Sequence, residues 1–111
     1  AGETSWRFAG PGLRVLPVAV SSSSHVELLR IEPGCGAPRH SHLGTEYTLV
    51  LQGRFCDESG SYGPGDVAVA GPGHTHRPMA EGHEVCLALA VREGGLEFKG
   101  GLGLIQRLFA N

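Results

Sequence analysis

The chain has 111 residues, a length suited to a single domain spanning residues 1–111, with 9 basic and 11 acidic side chains and a formal charge of −2. Lys99 is the sole lysine, and so small a basic content excludes a nucleic-acid surface and a polybasic membrane patch. No apolar run approaches the roughly 18 residues of a membrane-spanning helix.

Glycine and proline supply 25 of the 111 residues, about twice the usual share. With 41% hydrophobic residues this composition predicts an all-β fold of short strands joined by tight turns. Cys35, Cys56 and Cys86 are odd in number and form no Cys-x-x-Cys, a usage that fits a reducing, cytoplasmic setting better than a disulfide framework. Ala1 stands where an initiator Met would, which reads as a tagged chain or a piece of a longer one.

In chain order, Thr4 to Phe8 and Leu13 to Val20 are expected strands split by the turn Gly10-Pro11-Gly12. Ser21 to Ser24 is a polar loop, and His25 to Glu32 a mostly apolar strand ended by Pro33-Gly34. From Thr45 to Gln52 the pattern alternates, with Tyr47, Leu49 and Leu51 on one face and Glu46, Thr48, Val50 and Gln52 on the other. Gly53 turns the chain into Arg54 to Glu58. A glycine-rich corner, Ser59 to Gly65, precedes a strand over Asp66 to Ala70 and a second turn at Gly71-Pro72-Gly73. Glu84 to Arg92 is the clearest strand: Val85, Leu87, Leu89 and Val91 are large, while Cys86, Ala88 and Ala90 are small. The small face either lines a pocket or packs tightly against a bulky neighbour. Leu96 to Lys99 is a further strand, and Leu102, Ile105 and Phe109 are spaced for a short terminal helix or a last strand.

Four of the six histidines form two His-x-His pairs, His40/His42 and His74/His76. In an extended chain residues two apart share a face, so His40, His42 and Glu46 would project together. Two imidazoles and a carboxylate make most of a divalent-metal site. Glu46 shares its face with Thr48 and Val50, and a carboxylate inside a small sandwich costs several kcal/mol unless paired or metal-bound. His25 and His83 are expected at the surface. Tyr47, Leu49 and Leu51, on the opposite face, are apolar where a simple sandwich would be wet, so a terminal segment or a second subunit is expected to cover them.

The string Gly34-x5-His40-x-His42-x3-Glu46-x6-Gly53 resembles the first motif of the cupin superfamily, and Gly65 to Ala80 resembles the second, with Gly71 in place of the usual Pro and Ala80 in place of the usual Asn. This resemblance implies a double-stranded β-helix, a jelly-roll sandwich or barrel, and makes His76 the fourth ligand beside His40, His42 and Glu46. His74 would point away in an extended segment. The run Gly44 to Phe55, together with Asp57-Glu58, Tyr62 to Val67, His76 and Pro78, is similar to the cupin-like domain of ChrR-type anti-sigma factors. In that family the domain follows a zinc-binding anti-sigma domain that clamps a sigma factor. The cupin-like part holds a metal and serves the response to singlet oxygen and related oxidants. No His/Cys motif of the N-terminal domain occurs in this chain.

Two functions follow from the resemblance. The first is a regulatory, oxidant-sensing domain whose metal, zinc for preference, sits in a closed shell of His40, His42, Glu46 and His76. The second is a small metal-dependent cupin enzyme, a dioxygenase or isomerase, with the same ligands around iron, manganese or nickel and two open positions. Such an enzyme needs polar groups around its pocket, for which Tyr62, Gln52, Arg39 and Arg77 are the candidates. Expected partners are a second copy of the chain in a homodimer and, in a full-length relative, the anti-sigma domain with its sigma factor.

Overall fold

The structure is a computed structural model. It describes residues 5–21, 24–38, 40–42, 44–93 and 96–98, of which 20, 40–42 and 96–98 are described by their backbone alone. Every regular element among them is a strand: β1 (Arg7–Gly10), β2 (Leu13–Val20), β3 (Ser24–Ile31), β4 (His40–His42), β5 (Glu46–Gln52), β6 (Arg54–Asp57), β7 (Gly60–Tyr62), β8 (Val67–Ala70), β9 (Met79–Glu81), β10 (Cys86–Glu93) and β11 (Leu96–Phe98). The all-β expectation holds among the described residues.

Six strands form one antiparallel sheet in the order β1-β2-β3-β10-β5-β8. A three-stranded sheet, β7-β6-β9, and the pair β11-β4 complete the architecture. Leu13, Val15, Ile31, Val50 and Cys86 of the large sheet pack with Phe55 and Ala80 of the small one, and Ala37 joins them from a loop. Each fully buried Val or Ile contributes about 1.5–3 kcal/mol, so the seam between the sheets holds the two layers together.

Alternation along the strands explains which face is which. On β5, Glu46, Thr48 and Val50 are buried, while Tyr47 and Leu51 are 45% and 46% exposed. On β10, Cys86, Ala88, Ala90 and Arg92 point inward and Leu87, Leu89 and Val91 outward. The small side chains of β10 leave room for a cavity between the layers, and Ala88 and Ala90 line it, as the first of the two sequence readings has it. Gly53 closes the β5–β6 turn at a φ of 74°. A Cβ there would stand 2.4 Å from the Val85 carbonyl oxygen, so glycine is required by both conformation and space.

The outer face of the large sheet carries two apolar rows. Register places Leu16, Leu28, Leu89, Leu49 and Val67 side by side across β2, β3, β10, β5 and β8, and the row above it holds Ala19, Val26, Val91, Tyr47 and Val69. Val67 and Val69 are more than half exposed.

Several boundaries differ from the sequence expectation. The glycine-rich corner Ser59 to Gly65 contains β7, whose three residues pair with β6, and β9 lies where no strand was expected. Both are too short to show a period. The first strand is displaced toward the turn, because β1 and β2 pair through an irregularity at Phe8/Gly10. The expected helix or strand over Leu102 to Phe109 lies outside the described residues.

Candidate functional site

Between the sheets lies a cavity of about 40 Å³, room for roughly three water molecules. Its ionisable lining is Glu27, Glu46, Asp57, His74, His76 and Arg92, with Thr48 and Ser59 beside them, and much of the remainder is apolar, including Leu29, Phe55, Ala88 and Ala90. Glu46 opens β5 on the inner face. His76 follows the Gly71–Gly73 turn, in which the His74 N–H donates to the Gly71 carbonyl at 3.1 Å. The segment behind it is pinned where the Ala37 N–H donates to the Pro78 carbonyl at 3.0 Å and Gly36 bridges Met79. Because that turn rotates the chain, His74 does not point away as an extended segment would have it. It lines the same cavity, its ring edge-on to His76 at 5.6 Å.

Asp57, at the end of β6, fixes the His76 ring. The His76 Nδ1–H donates to Asp57 Oδ2 at 3.0 Å, and both side chains are almost wholly buried. Asp57 Oδ1 accepts from the Ser59 N–H at 2.8 Å and from its hydroxyl at 2.6 Å. Burial alone would raise the Asp57 carboxyl, but the hydrogen bonds from His76 and Ser59 outweigh it and hold the group below the usual carboxylate range. The Asp57 carboxylate accepts from Nδ1, which turns Nε2 toward the other side of the site. That nitrogen faces Glu46 Oε1 at 3.7 Å, beyond hydrogen-bonding distance.

An imidazole nitrogen and a carboxylate oxygen facing each other, with the other ring nitrogen held by a carboxylate, are chemically the donor set of a divalent transition metal. Glu46 and His76 therefore fit such an ion. Of the four sequence-derived ligands these two are brought together. His40 and His42 supply the backbone of β4, paired with β11, and their side chains lie outside the described residues. β4 and β5 belong to different sheets, so one continuous extended strand carrying His40, His42 and Glu46 is not what forms. Among the described residues no three His, Cys, Asp or Glu side chains converge on one point.

A second polar pair sits deeper. Arg92, 1% exposed, makes an ion pair through Nη1 with Glu27 Oε1, itself on a residue 5% exposed. His25 is half-buried, with both ring nitrogens buried and hydrogen-bonded to nothing described, which departs from the surface position expected of it. His83 is exposed as expected. Sequence reasoning passed over Glu27, Asp57 and Arg92 as site residues. The signal for two of them was parity: Glu27 shares a face with Leu29 and Ile31, and Arg92 with Ala88 and Ala90.

Three of the polar groups considered for an enzyme, Tyr62, Gln52 and Arg77, do not line the cavity. Tyr62 stacks on Phe55 at 5.1 Å and meets the Ser59 hydroxyl. Gln52 donates to the Val85 carbonyl at 3.4 Å, and Arg77 is exposed. Arg39 lies outside the described residues.

The chain is similar to known proteins over most of its length. The family described as the ChrR Cupin-like domain matches residues 1–95. The anti-sigma-E factor ChrR of Cereibacter sphaeroides is 37% identical over 108 residues, which cover 96% of this chain and 51% of that protein, so the chain spans about half the length of this relative. In the crystal structure of Rhodobacter sphaeroides SigE in complex with the anti-sigma ChrR, the matching chain is 37% identical with a TM-score of 0.76, covering 82% of this chain and 50% of that one. An RmlC-like cupin from Ralstonia eutropha superposes with a TM-score of 0.78 at 21% identity, over 88% of this chain and 68% of the other, a likeness of fold that confirms the cupin jelly roll. On these grounds the chain belongs to the ChrR cupin-like domain family.

Proposed function

We propose that this chain is a regulatory, metal-holding domain that acts together with an anti-sigma domain and its sigma factor in the cytoplasm, and that its task is to sense oxidants such as singlet oxygen. The observation that carries the reading is the Glu46–His76 pair, buried and oriented by Asp57. His40, His42, Glu46 and His76 are the proposed ligands and zinc the proposed metal. Bound there, a divalent ion would neutralise Glu46 and tie the start of β5 in the large sheet to the segment leading into β9 of the small one. Asp57 keeps the His76 ring oriented, with Nε2 toward the site. Oxidation at a ligand would loosen that tie and so reach surfaces on both sheets. The relatives named as ChrR, one of them seen in complex with SigE, support a sigma factor as the partner of a full-length protein.

The test is metal content by plasma mass spectrometry on tag-free protein, beside a reconstitution series. About one zinc per chain, lost in His76→Ala and Glu46→Ala with a fall in thermal stability, is the expected result. No bound metal after reconstitution, or variants as stable and as metal-rich as the parent, would refute it.

A further inference from the structure

The Arg92–Glu27 pair uses only one edge of the guanidinium. Nη1 meets Glu27, while Nε and Nη2 are buried and have no hydrogen-bond partner among the described residues. Nε–H and Nη2–H are the two parallel donors of the side-on fork, whose spacing matches the two oxygens of a carboxylate. Leaving both unmade in the interior costs the desolvation of each, and more on a charged group than on a neutral one. A well-packed domain does not carry that cost without compensation.

The surroundings narrow what would complete the fork. Arg92 lines the cavity between the sheets, whose lining also includes the apolar Ala88, Ala90 and Leu29, and across β5 it stands opposite Glu46. His25 stands directly beside Arg92 in the β3–β10 register, and its two ring nitrogens also lack partners among the described residues. Two neighbouring polar side chains with unmade bonds mark a missing group that accepts from Arg92. Three carboxylates also line the cavity. Glu27 is already matched by the opposite edge of Arg92, and Asp57 by His76, while Glu46 belongs to the proposed metal end. A volume of about 40 Å³ admits a head group with a short carbon stub and no more.

We propose that the cavity binds a small aliphatic carboxylate, its two oxygens on the Nε/Nη2 edge of Arg92 and its carbon end against Ala88 and Ala90. The site adjoins Glu46, which stands opposite Arg92 across β5 and β10, and the inference rests on the reading that Glu46 serves the proposed metal. It makes the domain responsive to a short-chain acid as well as to whatever acts at His76.

The experiment is thermal unfolding of the 111-residue chain in acetate or propionate, with chloride at equal ionic strength and acetamide as the neutral isostere. Carboxylate at 100 mM is expected to raise the midpoint by about 5 °C or more, acetamide and chloride not at all. Arg92→Lys keeps the charge beside Glu27 but loses the fork, and is expected to lose the response. Equal responses in Arg92→Lys and the parent would mean that the acid binds a metal instead, which overturns this site and leaves the proposed metal centre standing. Should Arg92→Lys fail to fold, the Arg92 Nε–H resonance of the parent decides. It shifts in a saturable way with acetate if the proposal is right, and stays in place if an ordered water fills the fork.

Discussion

Glu27→Leu is expected to be strongly destabilising, because Glu27 is the buried partner of Arg92. Arg92 is 1% exposed and Glu27 5%, and their contact joins two neighbouring strands, with Glu27 opposite Ala90 and diagonal to Arg92. Removing the carboxylate strands a guanidinium in the interior, where Nε and Nη2 are already without partners among the described residues. Breaking a buried pair from one side costs about 3–5 kcal/mol. For a domain of this size each kcal/mol moves the melting midpoint by about 4–8 °C, so a fall of at least about 12 °C follows. Replacing both partners, Glu27→Leu with Arg92→Met, removes the stranded charge and should recover most of the loss, because similar apolar volume in place of a buried pair is often neutral. Urea titration of parent, single and double variants, with m-values compared to check two-state behaviour, measures this directly. A single variant within about 1 kcal/mol of the parent, or a double variant as unstable as the single, would falsify the account of the pair.

Three further outcomes are expected. Asp57 is held below the ordinary carboxylate range, so its contribution is complete above that range and is lost as the pH falls through the folded-state value; Asp57→Asn should flatten the acid limb of the stability profile, and an unchanged limb would count against the His76–Asp57 bond. Burial pushes the Cys86 thiol up to about 11, so mass-mapped alkylation at pH 8 should leave Cys86 unmodified until the chain unfolds, and labelling in the native state would contradict its place in the core. Val69 is 61% exposed, and Val69→Lys should change stability by no more than about 0.5 kcal/mol while improving solubility; a larger loss would mean that the outer rows are covered in solution.

Much of this was legible before any coordinates. The alternation over Glu46 to Gln52 and the large/small alternation over Cys86 to Arg92 assign inner and outer faces correctly, because each strand has one buried side. The same alternation placed Glu46 inside. What the sequence could not carry was anything that depends on neighbours across the sheet. Glu27 and Arg92 meet only because β3 lies beside β10, 65 residues away. The turn that brings His74 inward depends on a bond to Gly71, and the break between β4 and β5 on their membership of different sheets. β7 and β9, at three residues each, hold their places by pairing with β6 and have no periodic signal of their own.

The placement of β10 also has a kinetic consequence. It is one of the two central strands of the large sheet, yet it follows all the other strands of that sheet in sequence, and its ladder with β3 joins residues 55 to 69 positions apart. Contacts of such separation are slow to form, because a long loop must close before they yield any stabilisation. Until residue 93 has left the ribosome, β2–β3 and β5–β8 are two open sheets with nothing between them, and the cavity has no floor. The domain therefore folds late and as a whole, and shortening the chain through β10 should yield an aggregating set of hairpins rather than a smaller version of the same fold.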